Sequence, residues 1–304
     1  MEIFNTLTKN SNLSLALGFF DGVHAGHCCV IKNAIKYAKE HNIKSAVVTF
    51  INSPKSFFDK NGEENLITVD EKFKKIEELG IDFLYALDFN GEIAQLSADV
   101  YLKDYLIKYL SPAAITTGFN HTFGCDAQKS SFLKKHQIKY NYKYYEIPPI
   151  TFNNILVSTS IIKKVIQKCD FDMAKRLMGY SFSFEGAVIK GNKIGRTINY
   201  PTANVLYPQK IVEIPQGVYC GFAIIDNQPY KGILNYGVKP TISNENKKLL
   251  EFHVFNFNKD IYGKNIKIVP LKKIREEQKF ASIDELKQRL MQDAMVAQEY
   301  FKYF

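Results

Sequence analysis

The sequence predicts two domains of different class. The first is an α/β domain whose mostly parallel sheet carries helices on both faces, and the second is an antiparallel β-barrel with a terminal helix. Three observations predict this. Strand and helix patterns alternate from residue 13 to about residue 150, as in a parallel sheet with crossover helices. Near Tyr180 the pattern changes to short strand-like runs separated by Gly, Pro and Asn, as in antiparallel barrels. The length of 304 residues suits two domains at roughly 100–200 residues each. The expected domains are 1–180 and 181–304.

In chain order, Leu13–Leu17 reads as a strand, Gly26–Glu40 as a helix and Ser45–Phe50 as a buried strand. Val69–Leu79 is helical, with Gly80 as its stop signal, and Asp82–Leu87 is a strand. Ser97–Tyr109 is a helix ended by Ser111-Pro112, followed by a strand over Ala113–Thr117. The helical stretches Ser160–Lys168 and Phe171–Met178 read as the end of the first domain. The barrel strands are expected at Phe184–Ile189, Gly217–Ile225, Gly232–Tyr236, Leu250–Phe257 and Ile266–Pro270. A last helix spans Ser282–Tyr300, opened by the capping box Ser282-Ile283-Asp284-Glu285. There is no internal repeat and no low-complexity tract.

Composition bounds the function. The chain is 46% hydrophobic and 23% charged, ordinary for a globular protein. The apolar run Leu13–Phe20 is too short to span a bilayer, and the N-terminus lacks the layout of a signal peptide. Five cysteines occur without any C-x-x-C, which argues against a disulfide framework or a zinc cluster. The chain therefore reads as cytoplasmic with free thiols. The net charge of +9 is nearly all lysine; the arginines are Arg176, Arg196, Arg275 and Arg289. Sequence-specific nucleic-acid readers favour arginine, whereas an excess of lysine suits polyanionic small ligands. Small molecules are the expected partners, without nucleic acid or membrane, and the oligomeric state is not legible.

The first candidate site is the loop Gly18-Phe19-Phe20-Asp21-Gly22-Val23-His24-Ala25-Gly26-His27. It joins a strand to a helix, where free N–H groups and the helix dipole favour polyphosphate. Gly18, Gly22 and Gly26 let the backbone approach a ligand closely. His24 and His27 are three apart and share a face on the opening turn. Two imidazoles beside an α-phosphate can stabilise the charge that builds on a leaving pyrophosphate. An acceptor phosphate can then attack in line without a protein nucleophile. Metal binding by the pair would need a further ligand that no nearby spacing supplies.

The second candidate lies past Tyr180. Gly191-Asn192-Lys193-Ile194-Gly195-Arg196-Thr197 is one residue short of a P-loop, and a strand pattern follows it, so a Walker-type domain is rejected. In Pro201-Thr202-Ala203-Asn204, a Thr and an Asn two apart on an extended segment aim their oxygens to one side. Such donors suit Mg²⁺ that substrate phosphates also hold; alone, the tetrapeptide would read as a turn.

Together these segments resemble the bacterial bifunctional riboflavin kinase/FMN adenylyltransferase family, also called FAD synthetase. The first loop is similar to its G-x-F-D-G-V-H-x-G-H signature. Thr116–Gly124 resembles G-x-N/D-F-x-F-G, and Val157–Lys163 resembles S-S-T-x-I-R. Gly191–Asn204 resembles the kinase signature ending in P-T-A-N. Pro215–Tyr219, Asn235–Thr241, Leu250–His253 and Arg275–Phe280 resemble G-V-Y, N-x-G-x-R-P-T, V-E-x-H and R-x-E-x-K-F. Ser53 stands where the family often has histidine, His121 replaces an aromatic, and Lys163 replaces arginine.

The resemblance implies a Rossmann-like nucleotidylyltransferase domain and a riboflavin kinase barrel. It implies that riboflavin is phosphorylated to FMN with ATP and Mg²⁺, and that AMP then passes from ATP to FMN, giving FAD and pyrophosphate. Gly18, Phe19, Asp21, Gly26, Asn120, Ser158 and Thr159 would join His24 and His27 in holding ATP and the FMN phosphate. Gly191 and Gly195 would line the kinase nucleotide, Thr202 and Asn204 would hold the metal, and Glu251 would be the general base. Arg275 would contact flavin or phosphate. Two other readings are a kinase with a weak adenylyltransferase domain and a flavin- or nucleotide-binding regulator; Ser53 and Lys163 favour these.

Overall fold

The computed structural model describes residues 1–58, 64–191, 200–237 and 248–303. The chain divides into two compact units, Met1–Ile161 and Ile162–Phe304.

The N-terminal unit is built on a six-stranded parallel sheet in the order β1-β4-β3-β2-β5-β8. Its strands are β1 (Glu2–Phe4), β2 (Leu13–Leu17), β3 (Lys44–Phe50), β4 (Phe83–Leu87), β5 (Ala114–Gly118) and β8 (Lys143–Ile147). β6 (Thr122–Phe123) pairs with β7 (Gln128–Lys129), and β9 (Thr151–Phe152) with β10 (Ile155–Leu156). The central strands β2 and β3 are buried along almost their whole length, their small polar residues Ser14, Ser45 and Thr49 included, as in sheets covered on both faces. Helix α1 (Ala25–Glu40) packs on β2, β3 and β5. A short helix, α2 (Pro54–Phe58), precedes α3 (Val69–Glu78). Thr68 caps α3 by accepting the Glu71 N–H at 3.3 Å. Between Ala98 and Leu110 the helical path contains a π-helical stretch, Tyr101–Ile107. The edge strands β1 and β8 were not anticipated, since each is short or half-exposed.

The second unit contains a closed antiparallel barrel in the order β11-β12-β15-β14-β13-β16. These strands are Phe184–Ile189, Ala203–Leu206, Leu249–Val254, Gln228–Gly237, Gly217–Ile225 and Asn265–Arg275, respectively. Strand β12 begins inside the segment singled out for its Thr and Asn: Asn204 lies on it and Thr202 just before it. Inward residues such as Tyr219, Leu234 and Phe252 are fully buried. The opposite face of β13 and β14 carries Val218, Cys220 and Ile233, which pack with Ala297 and Phe301 at the end of the chain. The C-terminal helix Ile283–Tyr300 begins as expected: the Ser282 hydroxyl accepts the Glu285 N–H at 3.1 Å. The helix Phe171–Met178 packs on β16, and the Phe171 ring lies edge-on to Tyr219 at 6.0 Å. It ends at Gly179, whose φ of 88° is the left-handed stop that glycine adopts freely.

Candidate active sites

The first site forms at the carboxyl end of β2, where ligands bind in open parallel sheets. The chain leaves the sheet at Gly18, turns through Asp21–Val23 and enters α1 at His24. Phe20 and Gly22 take φ of 55° and 77°. A Cβ on Gly18 would stand 2.9 Å from the Phe20 ring, and one on Gly22 would stand 2.6 Å from Leu66, so the turn needs both glycines. Asp21 holds it by accepting the Leu66 N–H at 2.8 Å. The Thr49 hydroxyl donates to the Phe19 carbonyl at 2.9 Å, tying the loop to β3.

His24 is the N-cap of α1, and its Nδ1 accepts the His27 N–H at 3.3 Å. The two imidazoles stack, with centroids 3.6 Å apart and planes 17° apart. An Nδ1 that accepts leaves the ring proton on Nε2, so His24 offers an Nε2–H donor. Burial pulls His24 down to about 4, and its backbone hydrogen bond recovers only part of that. Burial, then the stacked His24 and then Lys72 hold His27 well below the usual histidine value. Both rings are therefore neutral at pH 7. The His27 Nδ1 is enclosed and has no partner among the described residues.

The other expected contributors converge on this loop. Gly26 lies under the His24 ring; a Cβ there would sit 3.3 Å from it and 3.8 Å from the Val157 carbonyl. The Thr159 hydroxyl donates to the Asp21 carbonyl at 3.3 Å. Ser158 Oγ accepts the Ile161 N–H at 3.4 Å and opens the helix Thr159–Gln167. A second helix N-terminus thus joins that of α1. Asn120 follows β5, the sheet neighbour of β2.

Sequence reasoning missed two features here. Lys72 is 3% exposed; its Nζ donates to the carbonyls of Phe50 at 2.7 Å and Phe19 at 3.3 Å. Its only sequence signal is a lysine on the apolar face of α3. The second feature is an aromatic cluster beyond the ends of β3 and β4. Phe89 has ring neighbours Phe50, Phe57 and Phe58 at 5.0, 5.5 and 6.1 Å. Phe57 and Phe58 are 46% and 71% exposed. Ser53 is buried, and its carbonyl accepts from the Phe57 N–H at 3.2 Å, so it anchors the helix that carries them.

The second site lies on the outer wall of the barrel. Strand register pairs Glu251 directly with Asn204 on one side and with Asn235 on the other. Directly paired residues share a face, so the three side chains form a row across β12, β15 and β14. Asn235 Oδ1 is buried without a partner among the described residues. A Cβ on Gly191 would run into the Asn204 carboxamide, and one on Gly237 into the Glu277 carboxylate. Both glycines leave room for the neighbouring polar side chain. His253, two residues beyond Glu251, reaches the Pro201 carbonyl through Nδ1 at 2.8 Å and fixes the segment that ends in Thr202 and Asn204. Burial lowers its pKa, and the Pro201 bond opposes that. Thr202 also lines a cavity of about 500 Å³ with Val188, Phe252, Val254, Phe257 and Asp260.

Both units match known families. A family model described as FAD synthetase matches residues 6–161, and one described as riboflavin kinase matches residues 178–301. The bifunctional riboflavin kinase/FMN adenylyltransferase of Buchnera aphidicola subsp. Schizaphis graminum is 36% identical over 98% of this chain and 97% of its own length. The chain belongs to the bifunctional riboflavin kinase/FMN adenylyltransferase family. The Bacillus subtilis member is 34% identical over 94% of this chain and 92% of its own length. A crystal structure described as a macrolide-efflux protein from Streptococcus pneumoniae superposes with a TM-score of 0.87 at 29% identity, covering 97% of this chain and 98% of that one. No helix among the described residues is long and apolar enough to cross a membrane.

Within this family frame, the structure brings Gly18, Phe19, Asp21, His24, Gly26, His27, Ser158 and Thr159 together. It also brings together Gly191, Asn204 and Glu251. Gly195 lies outside the described residues. Arg275 is committed to other partners: its Nε and Nη2 grip Asp293 at 2.8–3.1 Å, and its Nη1 donates to the Glu276 carbonyl at 3.0 Å.

Proposed function

We propose that the barrel unit phosphorylates riboflavin and the N-terminal unit adenylylates the FMN so formed, each with its own ATP. The observation that supports this reading is one polar cluster in each unit: the stacked His24 and His27 on the Gly18–His27 loop, and the row Asn204, Glu251 and Asn235 on the barrel. In the barrel, Glu251 takes the proton of the riboflavin 5′-hydroxyl as its oxygen attacks the γ-phosphorus of ATP and ADP leaves. The donor set of Thr202 and Asn204, neutral oxygens beside one carboxylate, fits Mg²⁺ that the phosphates also hold. When bound, Mg²⁺ supplies charge neutralisation on the transferring phosphoryl group. The cavity that Thr202 lines is suited by its apolar walls to the adenosine end of ATP. Asn235 Oδ1 supplies a hydrogen-bond acceptor for a ribityl hydroxyl next to Glu251. Arg275 acts through Asp293 and Glu276 by fixing the strand end that leads to Glu277.

In the N-terminal unit, an FMN phosphate oxygen attacks the α-phosphorus of ATP and pyrophosphate leaves. The Nε2–H of His24, the His27 ring and two helix N-termini stabilise the departing charge. Ser158 and Thr159 hold phosphate oxygens, and Asn120 orients the nucleotide. The exposed rings of Phe57 and Phe58, backed by Phe89, offer a stacking surface for the isoalloxazine. A cytoplasmic location fits the five unpaired thiols.

The test is direct. Purified protein is incubated with riboflavin, ATP and Mg²⁺, and the flavins are resolved by chromatography. FMN followed by FAD is expected. No FMN would sink the kinase assignment, and FMN without FAD would favour a kinase with a reduced transferase unit.

A further inference from the structure

Lys72 is the deeply buried cation of the N-terminal unit that the reaction as derived above leaves unused. It sits on the inward face of α3 with buried Ile76. Its ammonium spans the ends of two neighbouring parallel strands, donating to Phe19 beyond β2 and to Phe50 at the end of β3. The Phe19 ring covers it, with Nζ 4.3 Å from the centroid. Desolvating an ammonium costs several kcal/mol, roughly, even after relaxation. Purely structural bridging of two carbonyls could be done by a neutral amide at lower cost. Two carbonyls and a ring satisfy the donors but leave a positive charge behind the loop.

We propose that Lys72 is a positioning residue for adenylyl transfer: it pins the Phe19 carbonyl at the mouth of the phosphate loop and supplies the buried positive charge behind the ATP polyphosphate. The inference rests on the nucleotidyl-transfer reading of that loop. The groups that face Lys72 are few. Asp21 comes from the turn and raises its pKa, while His27, with His24 stacked on it, comes from α1. Glu71 neighbours it on its own helix, and among the described residues of β3 the Phe50 carbonyl accepts from it. Asp21 offsets the charge of Lys72 at a distance, so the ammonium acts on an anion arriving above the histidines locally, through its hold on the Phe19 carbonyl behind them. The same charge pushes His27 toward its neutral form, so the loop binds phosphate through a lysine behind it and neutral donors in front.

The sign of the pH dependence follows. Burial draws Lys72 down to about 8 against the pull of Asp21. The ammonium is present below that value and lost as pH rises through it. In the free enzyme, kcat/KM for ATP in FMN adenylylation should fall as pH rises through about 8.

The experiment measures that profile, from FMN and ATP, in the wild-type chain, Lys72→Met and Lys72→Arg, with riboflavin phosphorylation as the control in the same preparations. The expected result for Lys72→Met is a loss of about 10²-fold in FMN adenylylation, no alkaline limb near pH 8 and unchanged riboflavin phosphorylation. Lys72→Arg should move the alkaline limb upward. If Lys72→Met stays within about threefold of wild type, or keeps the same limb, the inference is wrong. If the variants fail to fold, the wild-type profile decides, since a flat profile from pH 7 to 9.5 overturns the proposal. A wild-type chain that makes no FAD from FMN at any pH would instead overturn the underlying assignment.

Discussion

Asn204 and Glu251 face each other as directly paired residues of β12 and β15. The pairing places a neutral oxygen donor beside a carboxylate on one wall of the barrel, the combination that a metal-assisted kinase needs for phosphate on one side and a hydroxyl proton on the other. Glu251→Gln keeps the shape and removes the base. Riboflavin phosphorylation should fall by about 10²–10⁴-fold, while conversion of added FMN to FAD stays unchanged. Both rates are read by flavin chromatography.

Gly191→Ala tests the same pairing from the backbone side. The added methyl would occupy the space of the Asn204 carboxamide and push it from its place beside Glu251. The expected effect is a higher apparent KM for Mg²⁺ and ATP with a smaller loss at saturating Mg²⁺. A variant indistinguishable from wild type in an Mg²⁺ titration would contradict the placement of Asn204.

His24 caps α1 through Nδ1, and in the proposed reaction its Nε2–H is a separate donor to phosphate. Asparagine is a good N-cap but cannot reproduce the imidazole donor. His24→Asn should hold the melting temperature near that of wild type and lower FMN adenylylation by about 10²-fold. His24→Ala should lose activity and about 1 kcal/mol of stability besides. Equal stability of the two variants would show that the cap contributes nothing.

Acid should destabilise the N-terminal unit. His24 and His121 are held down to about 4 by burial, and His27 lies well below its usual value. An unfolded chain protonates these rings near 6.5, so between about 6.5 and 4 it binds more protons than the folded chain. Stability from these groups is full above about 6.5 and is lost as pH falls toward about 4. Thermal unfolding between pH 7.5 and 4.5 reads this. The slope should flatten in a His24→Asn/His27→Asn double variant.

Asp293 of the barrel unit, 1% exposed, pairs with Arg275 at 2.8 Å and with Arg289 at 3.4 Å. Removing one partner strands a charge. Asp293→Ala should cost about 3 kcal/mol and loosen the C-terminal helix, seen as faster amide exchange over Ile283–Tyr300. Asp293→Asn, which keeps hydrogen-bond acceptance toward Arg275 and Arg289, should cost less than Asp293→Ala.

Legibility in the sequence followed locality. The Gly18–His27 loop was readable because its glycines, cap and histidines all act within ten residues of one another. The barrel strands showed through β-branched runs and turn residues, and the capping box at Ser282 gave the start of the last helix. Lys72 was not readable, because its partners Phe19 and Phe50 are distant in sequence and are main-chain atoms that carry no side-chain signature. The row of Asn204, Glu251 and Asn235 depends on register across three strands, which periodicity alone does not set. The Arg275–Asp293 pair was not readable, because Asp293 lies in another element. The aromatic cluster around Phe89 likewise assembles from the ends of different strands.

The central claim is that two independent sites share FMN as product and substrate. Mixing two single variants tests it most directly. Glu251→Gln and His27→Ala proteins are each supplied with riboflavin, ATP and Mg²⁺, alone and then together, and FAD is measured. Neither alone should yield FAD, whereas the mixture should, with FMN passing from the His27→Ala protein to the Glu251→Gln protein. FAD from either variant alone, or none from the mixture of two folded proteins, would contradict the division into two sites.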